Sequence, residues 1–204
     1  MAKNWQEHAQ RKMDRKRRTL EEHGCAPADA NGLVEWAHGM ATRRALPEKG
    51  ADEFLRDYER AAAGQLEDWK SEPRGMLALI LLLDQFPRNL FRGSARAFAT
   101  DAAACSNARE GIAKRFDLAL EPVERSFIYM PFMHAESLED QDESVRLFRS
   151  LTDHAADRNG NLRYAEDHRE VIRRFGRFPH RNAILGRLST PTEEAFLARE
   201  SNRT

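Results

Sequence analysis

Cysteine is almost missing: Cys25 and Cys105 are the only two in 204 residues, and they share no short spacing. That excludes a disulfide framework and a cysteine-based zinc set, and it makes a reduced, cytoplasmic setting the expectation. Long apolar runs are missing too. The longest, "MLALILLL" (Met76 to Leu83), is eight residues, against the ~20 that a membrane-spanning helix needs. The basic residues near the start have no apolar stretch behind them, which argues against a secretory signal. Charge of one sign does not dominate either. Acidic and basic residues number 33 each, so no overall field draws the molecule to nucleic acid or membrane. Period-2 alternation, G-x-S-x-G, a Walker loop and G-x-G-x-x-G are all absent.

What is present is helical. Hydrophobic residues make up 41% and charged residues 32%, the balance of a soluble helical protein with solvated outer faces. In "DEFLRDYERAAAGQLEDW", Leu55, Tyr58, Ala62, Leu66 and Trp69 recur at three- and four-residue steps, which predicts an amphipathic helix. "GMLALILLLDQF" is apolar on every side and rich in leucine and alanine, so it reads as the central helix. Helix starts are expected at Thr100-Asp101, Pro122, Ser137 and Thr190, the last within a capping box that ends at Glu193. Tyr164, His168, Val171 and Phe175 form a further stripe, closed by Gly176 and Pro179. Seven or eight helices make an all-α protein. The expected organisation is a basic helical extension over 1–27, around "RKMDRKRR", followed by a single all-α domain over 28–204. The extension is the one part suited to phosphate or nucleic acid; its acidic residues equally suit a solvated helix.

Two short stretches resemble each other. "DQFPRN" (Asp84 to Asn89) and "RFPHRN" (Arg177 to Asn182) each set Phe-Pro before polar residues at the end of a helical pattern. Asp84, Gln85, Arg88 and Asn89 follow a helix apolar on all faces, where burial of an unpaired charge is costly. In one reading Asp84 and Arg88 pair four residues apart, and Asn89 caps carbonyls after Pro87 ends the helix. In the other, these side chains face a cleft and hold a ligand. Arg173, Arg174, Arg177 and Arg181 surround His180 in sequence. Converging guanidinium groups repel unless a carboxylate or an anionic ligand separates them. Glu166, Asp167, Glu170 and Asp140 are available for that purpose.

His134, Glu136 and His168 are candidates for acid–base chemistry, since imidazole titrates near neutrality. Together with His180 and Asp84 or Asp140 they have a metal site's inventory but no metal signature, and no metal is assigned. The ligand-binding candidates are Asp84, Gln85, Arg88, Asn89, Arg177, His180, Arg181 and Asn182. Cys105 reads as a small core residue.

The segments "LLLDQFPRNLFRGSARAFATD", "ERSFIYMPFMHAESLEDQ" and "HREVIRRFGRFPHRNAILGRLSTPTEEAFL" together resemble the bacterial family called domain of unknown function 924, from about Gly64 to Leu197. The resemblance implies a tetratricopeptide-like helical superhelix and no established activity or cofactor. The front departs from the family pattern: in "LVEWAHG" (Leu33 to Gly39) Trp36 is kept, while Ala37 replaces a second aromatic. Two functions follow. One is a composite Arg/His/carboxylate pocket for a small anionic molecule, with acid–base chemistry from His134, Glu136 or His168. The other is an interaction scaffold for a protein partner, in which the polar motifs brace helix ends.

Overall fold

The "MLALILLL" run folds as the inner part of a helix, α2 (Pro73–Leu90), whose residues 75 to 84 are all buried. It can be apolar all round because neighbours cover every side: α1 (Ala51–Ala62), α3 (Asp101–Ala113) and α4 (Pro122–His134) all pack on it. Each leucine or isoleucine removed from water here contributes about 1.5–3 kcal/mol. The chain continues through α5 (Leu138–Arg149), α6 (Asn161–Phe175) and α7 (Pro191–Ser201). This computed structural model describes residues 51–151 and 160–201, and no strand occurs among them. The extension over 1–27, Cys25 and "LVEWAHG" lie outside the described residues.

Consecutive helices from α1 to α6 pack side by side, and alternate ones also touch, α2 with α4 and α4 with α6. Short 3-10 turns over Glu67–Ser71, Ala95–Phe98, Asp117–Ala119 and Pro179–Arg181 join or extend them. At Gly75 α2 lies so close to the first of these turns that a Cβ would sit 2.2 Å from the Trp69 carbonyl oxygen. Several starts follow the sequence. Ser137 Oγ accepts from the Asp140 N–H, and Thr190 and Glu193 exchange both bonds of a capping box. Gly176 closes α6 at φ 68°, where an L side chain would be strained.

Four local expectations change. The first helix stops at Ala62 instead of running to Trp69, because Gly64 turns the chain at φ 71°. Its buried face is Phe54, Tyr58 and Ala61, with Leu55 only partly covered and Ala62 exposed. On α6 the buried positions are Ala165 and Ile172, whereas Tyr164 is 58% exposed. Pro87, expected to end its helix, lies inside α2 instead. A proline there leaves the carbonyl four residues back without its amide partner. The Thr100 hydroxyl, in place of capping α3, crosses over and donates to that Leu83 oxygen at 2.6 Å.

This bond gives the first prediction. Thr100→Val keeps the side-chain shape but strands a buried carbonyl, at a cost of about 1–3 kcal/mol. Urea unfolding should show a lower midpoint with an unchanged slope, and Thr100→Ser should restore most of the loss. Equal stability of the valine variant would show that the bond contributes nothing.

Candidate functional site

The end of α2, the start of α3, the end of α4 and the 179–181 turn meet at one place. Asp84, fully buried in the last turns of α2, receives His134 Nδ1 at 2.7 Å. Gln85 Nε2 donates to its other oxygen, and Arg88 stands 3.4 Å away. Burial alone would raise the Asp84 pKa. His134 and Arg88 more than offset that and hold it at about 2. An ionised carboxylate only accepts hydrogen bonds, so His134 Nδ1 must be the protonated nitrogen.

Arg88 looks mainly toward α3. Its guanidinium makes two bonds to Asp101, 2.7 and 3.0 Å, and a third to the Ala97 carbonyl. Asp101 also accepts from Arg181 Nη1 at 3.1 Å. Arg181 is 6% exposed, with Phe98 on one ring contact at 4.6 Å and Phe178 on another at 4.5 Å. Its Nη2 donates to the His134 carbonyl at 2.9 Å, while its buried Nε has no partner. Burial and nearby Arg88 depress its pKa, yet it stays a cation.

Two further imidazoles flank this guanidinium. His168 bonds through Nδ1 to the Tyr164 carbonyl at 2.7 Å and sits 5.3 Å from the Phe178 ring. His180 lies 5.4 Å from the same ring. Burial, then the charge of Arg181, pushes the His168 pKa down despite the carbonyl bond. His180 is pushed down to about 4 by burial of its ring and then by the charge of Arg181. Although His180 as a residue is open to solvent, its imidazole stays neutral beside Arg181.

The structure therefore brings Asp84, Gln85, Arg88, His134, His168, His180 and Arg181 into one cluster. Glu136 lies at its margin, where it accepts the Phe178 N–H at 2.8 Å and pairs with Arg187 through two bonds of 2.6 and 2.9 Å. Asn182 is buried there and accepts from Arg187 Nε. Asn89 donates back to the Gln85 carbonyl as a cap. Arg177 turns away. It grips Glu193 of α7 through bonds of 2.7 and 2.8 Å and also donates to the Leu188 carbonyl. Arg173 pairs with Glu170, and Arg174 lies over Phe175. Of the four arginines around His180 in sequence, only Arg181 turns inward to Asp101.

Sequence reading missed Asp101, Phe98, Phe178 and Arg187. Asp101 gave a signal, but only as a helix-start residue. Among the described residues, no three His, Cys, Asp or Glu side chains gather to hold a metal ion. Cys105 is a buried core thiol, its pKa raised to about 11 by burial and by Asp140. No helix among the described residues is long and apolar enough to cross a membrane. A cleft of about 430 Å³ opens elsewhere, between Arg109, Ile112, Phe132, Glu139, Glu143 and Arg146. None of the candidate residues lines it.

An all-α protein with an arginine–histidine cluster at its helix ends is the class so defined. The chain belongs to the family described as "Bacterial protein of unknown function (DUF924)", whose model matches residues 4–201. The match takes in the basic segment that the motif resemblance left outside. A solved structure of a protein of unknown function from Agrobacterium tumefaciens is 43% identical. The alignment covers 72% of this chain and 80% of that one, with a TM-score of 0.67. Among curated proteins there is no match.

The depressed imidazoles make stability depend on pH. Their folded pKa values lie below the free value of about 6.5, so the unfolded chain takes up protons that the folded one resists. Stability is complete above that pH and erodes as pH falls toward about 4, where His180 itself titrates. Asp84 acts lower, its contribution disappearing as pH falls through about 2. With His180→Gln, the urea midpoint should fall less between pH 6.5 and 4 than it does in the wild type. Parallel pH profiles would contradict this account.

Proposed function

We propose that the cluster around Arg181 binds a small anionic molecule, with Arg88 and Arg181 supplying charge and Gln85, His168 and His180 supplying polar contacts. One observation carries the reading: of the two guanidinium groups that meet at Asp101, the more buried, Arg181, has a nitrogen with no acceptor. His180 and His168 stay neutral, first through burial and then through the charge of Arg181, so they offer polar contacts and not further charge. Asn182 holds Arg187 beside the site, while Asn89 and Arg177 brace its two motifs. The reading takes residues 28–204 as one domain with 1–27 appended. Scarcity of cysteine and the free thiol of Cys105 support a cytoplasmic location.

The contact of alternate helices, α2 with α4 and α4 with α6, favours a second reading as a tetratricopeptide-like scaffold for a protein partner. Ion pairs that tie helix ends would serve that role without any small ligand.

Thermal unfolding with inorganic phosphate, succinate and citrate at constant ionic strength separates the two. At ten times its dissociation constant a bound anion adds about 1.4 kcal/mol, a rise of several degrees that saturates. His180→Gln should at least halve that rise and leave the anion-free midpoint within about 2 °C. If no anion exceeds a chloride control, the anion site is refuted and the scaffold reading stands.

A further inference from the structure

The main chain around His134 is held at three successive carbonyls. Gln141 Nε2 donates to the Met133 oxygen at 2.7 Å and to the Ala135 oxygen at 2.8 Å, and Arg181 Nη2 takes the His134 oxygen between them. The ring is held as well, by the bond from Nδ1 to Asp84. Asp84 is fixed in turn by Gln85 and Arg88. His134 is half-buried, and its Nε2 makes no hydrogen bond among the described residues.

From this geometry we infer that His134 is a general base, its Nε2 accepting a proton from an O–H group, a water or a ligand hydroxyl, beside the bound anion, with Asp84 as its positioning residue. The inference rests on the anion-site proposal for what is bound, and on the Asp84–His134 contact for the chemistry. With the proton fixed on Nδ1 by a carboxylate that can only accept, the neutral ring carries its lone pair on Nε2. In the step, the O–H bond breaks, its electron pair stays on oxygen, and a new N–H bond forms at Nε2. Nothing is oxidised or reduced. The positive charge left on the ring faces the Asp84 carboxylate and the C-terminal end of α4, both of which favour it. The proton is then returned to the product or to water. His168 also presents a free Nε2 but is oriented by a neutral carbonyl, which offers no such counter-charge. Glu136 is held by Arg187 and the Phe178 N–H and belongs to the scaffold of the site.

Two measurements test the assignment. In uniformly ¹⁵N-labelled protein, long-range proton–nitrogen correlation between pH 7 and 9 should give His134 a protonated, pyrrole-type Nδ1 and a pyridine-type Nε2. The opposite tautomer overturns the inference. With diethyl pyrocarbonate as the probe, modification of His134 followed by mass spectrometry should slow at least tenfold in Asp84→Asn. His168→Asn should leave that rate within twofold. An unchanged rate in a folded Asp84→Asn protein also overturns it, and if that variant fails to fold, the wild-type tautomer alone decides. The anion-dependent rise in unfolding temperature reads the other proposal separately: the wrong tautomer with that rise intact removes the base and leaves the anion site.

Discussion

Asp101 carries one negative charge for two arginines, and the packing of the helix ends depends on it. Arg88 arrives from the end of α2 and Arg181 from the 179–181 turn, 80 residues beyond Asp101, so one carboxylate at the start of α3 joins segments distant in sequence. A guanidinium at 6% exposure is expensive to desolvate unless it is paired, and removing a partner from such a pair typically costs about 3–5 kcal/mol. Position at the first turn of α3 helps, because the N-terminal dipole favours a negative charge there. The Phe98 and Phe178 rings then take up Arg181 faces that would otherwise need water.

Much of the fold was legible because its signals are local. All-round apolarity marked α2, the Ser137 and Thr190 caps marked helix starts, and Gly176 marked a stop; each depends only on residues within a turn or two. Where the sequence misled, the decisive contact was distant. Pro87 does not end α2 because a hydroxyl thirteen positions later, Thr100, replaces the missing amide at Leu83. Of the stripe on α6, His168, Val171 and Phe175 are partly covered, while Tyr164 faces out and Ala165 and Ile172 are the buried positions. Spacing gives the period of a buried face, and only the neighbouring helices choose its phase.

The candidate site divides in the same way. "DQFPRN" and "RFPHRN" do meet, through Asp101 and the His134 carbonyl, but nothing in either motif names that partner. Four arginines near His180 looked equivalent in sequence. Arg173, at i+3 from Glu170, found a local carboxylate, and Arg177 found Glu193 across the capping box of α7. Arg181 alone follows Phe178 and Pro179 into the interior, so its charge had to be met by groups from other helices.

Asp84 is the residue that a purely structural account explains least well. Another leucine at 84 would extend the apolar surface of α2 without the desolvation cost of a carboxylate. Arg88 also gains from Asp84, 3.4 Å away, but takes its direct hydrogen bonds from Asp101. Gln85 gains a single bond. The group that depends on Asp84 is His134, whose ring it orients and whose carbonyl-pinned backbone needs no carboxylate to end a helix. Helix capping accounts for the Gln141 and Arg181 bonds, because the last carbonyls of α4 lack amide partners. It does not account for a buried charge aimed at an imidazole nitrogen. Orientation of the opposite nitrogen does.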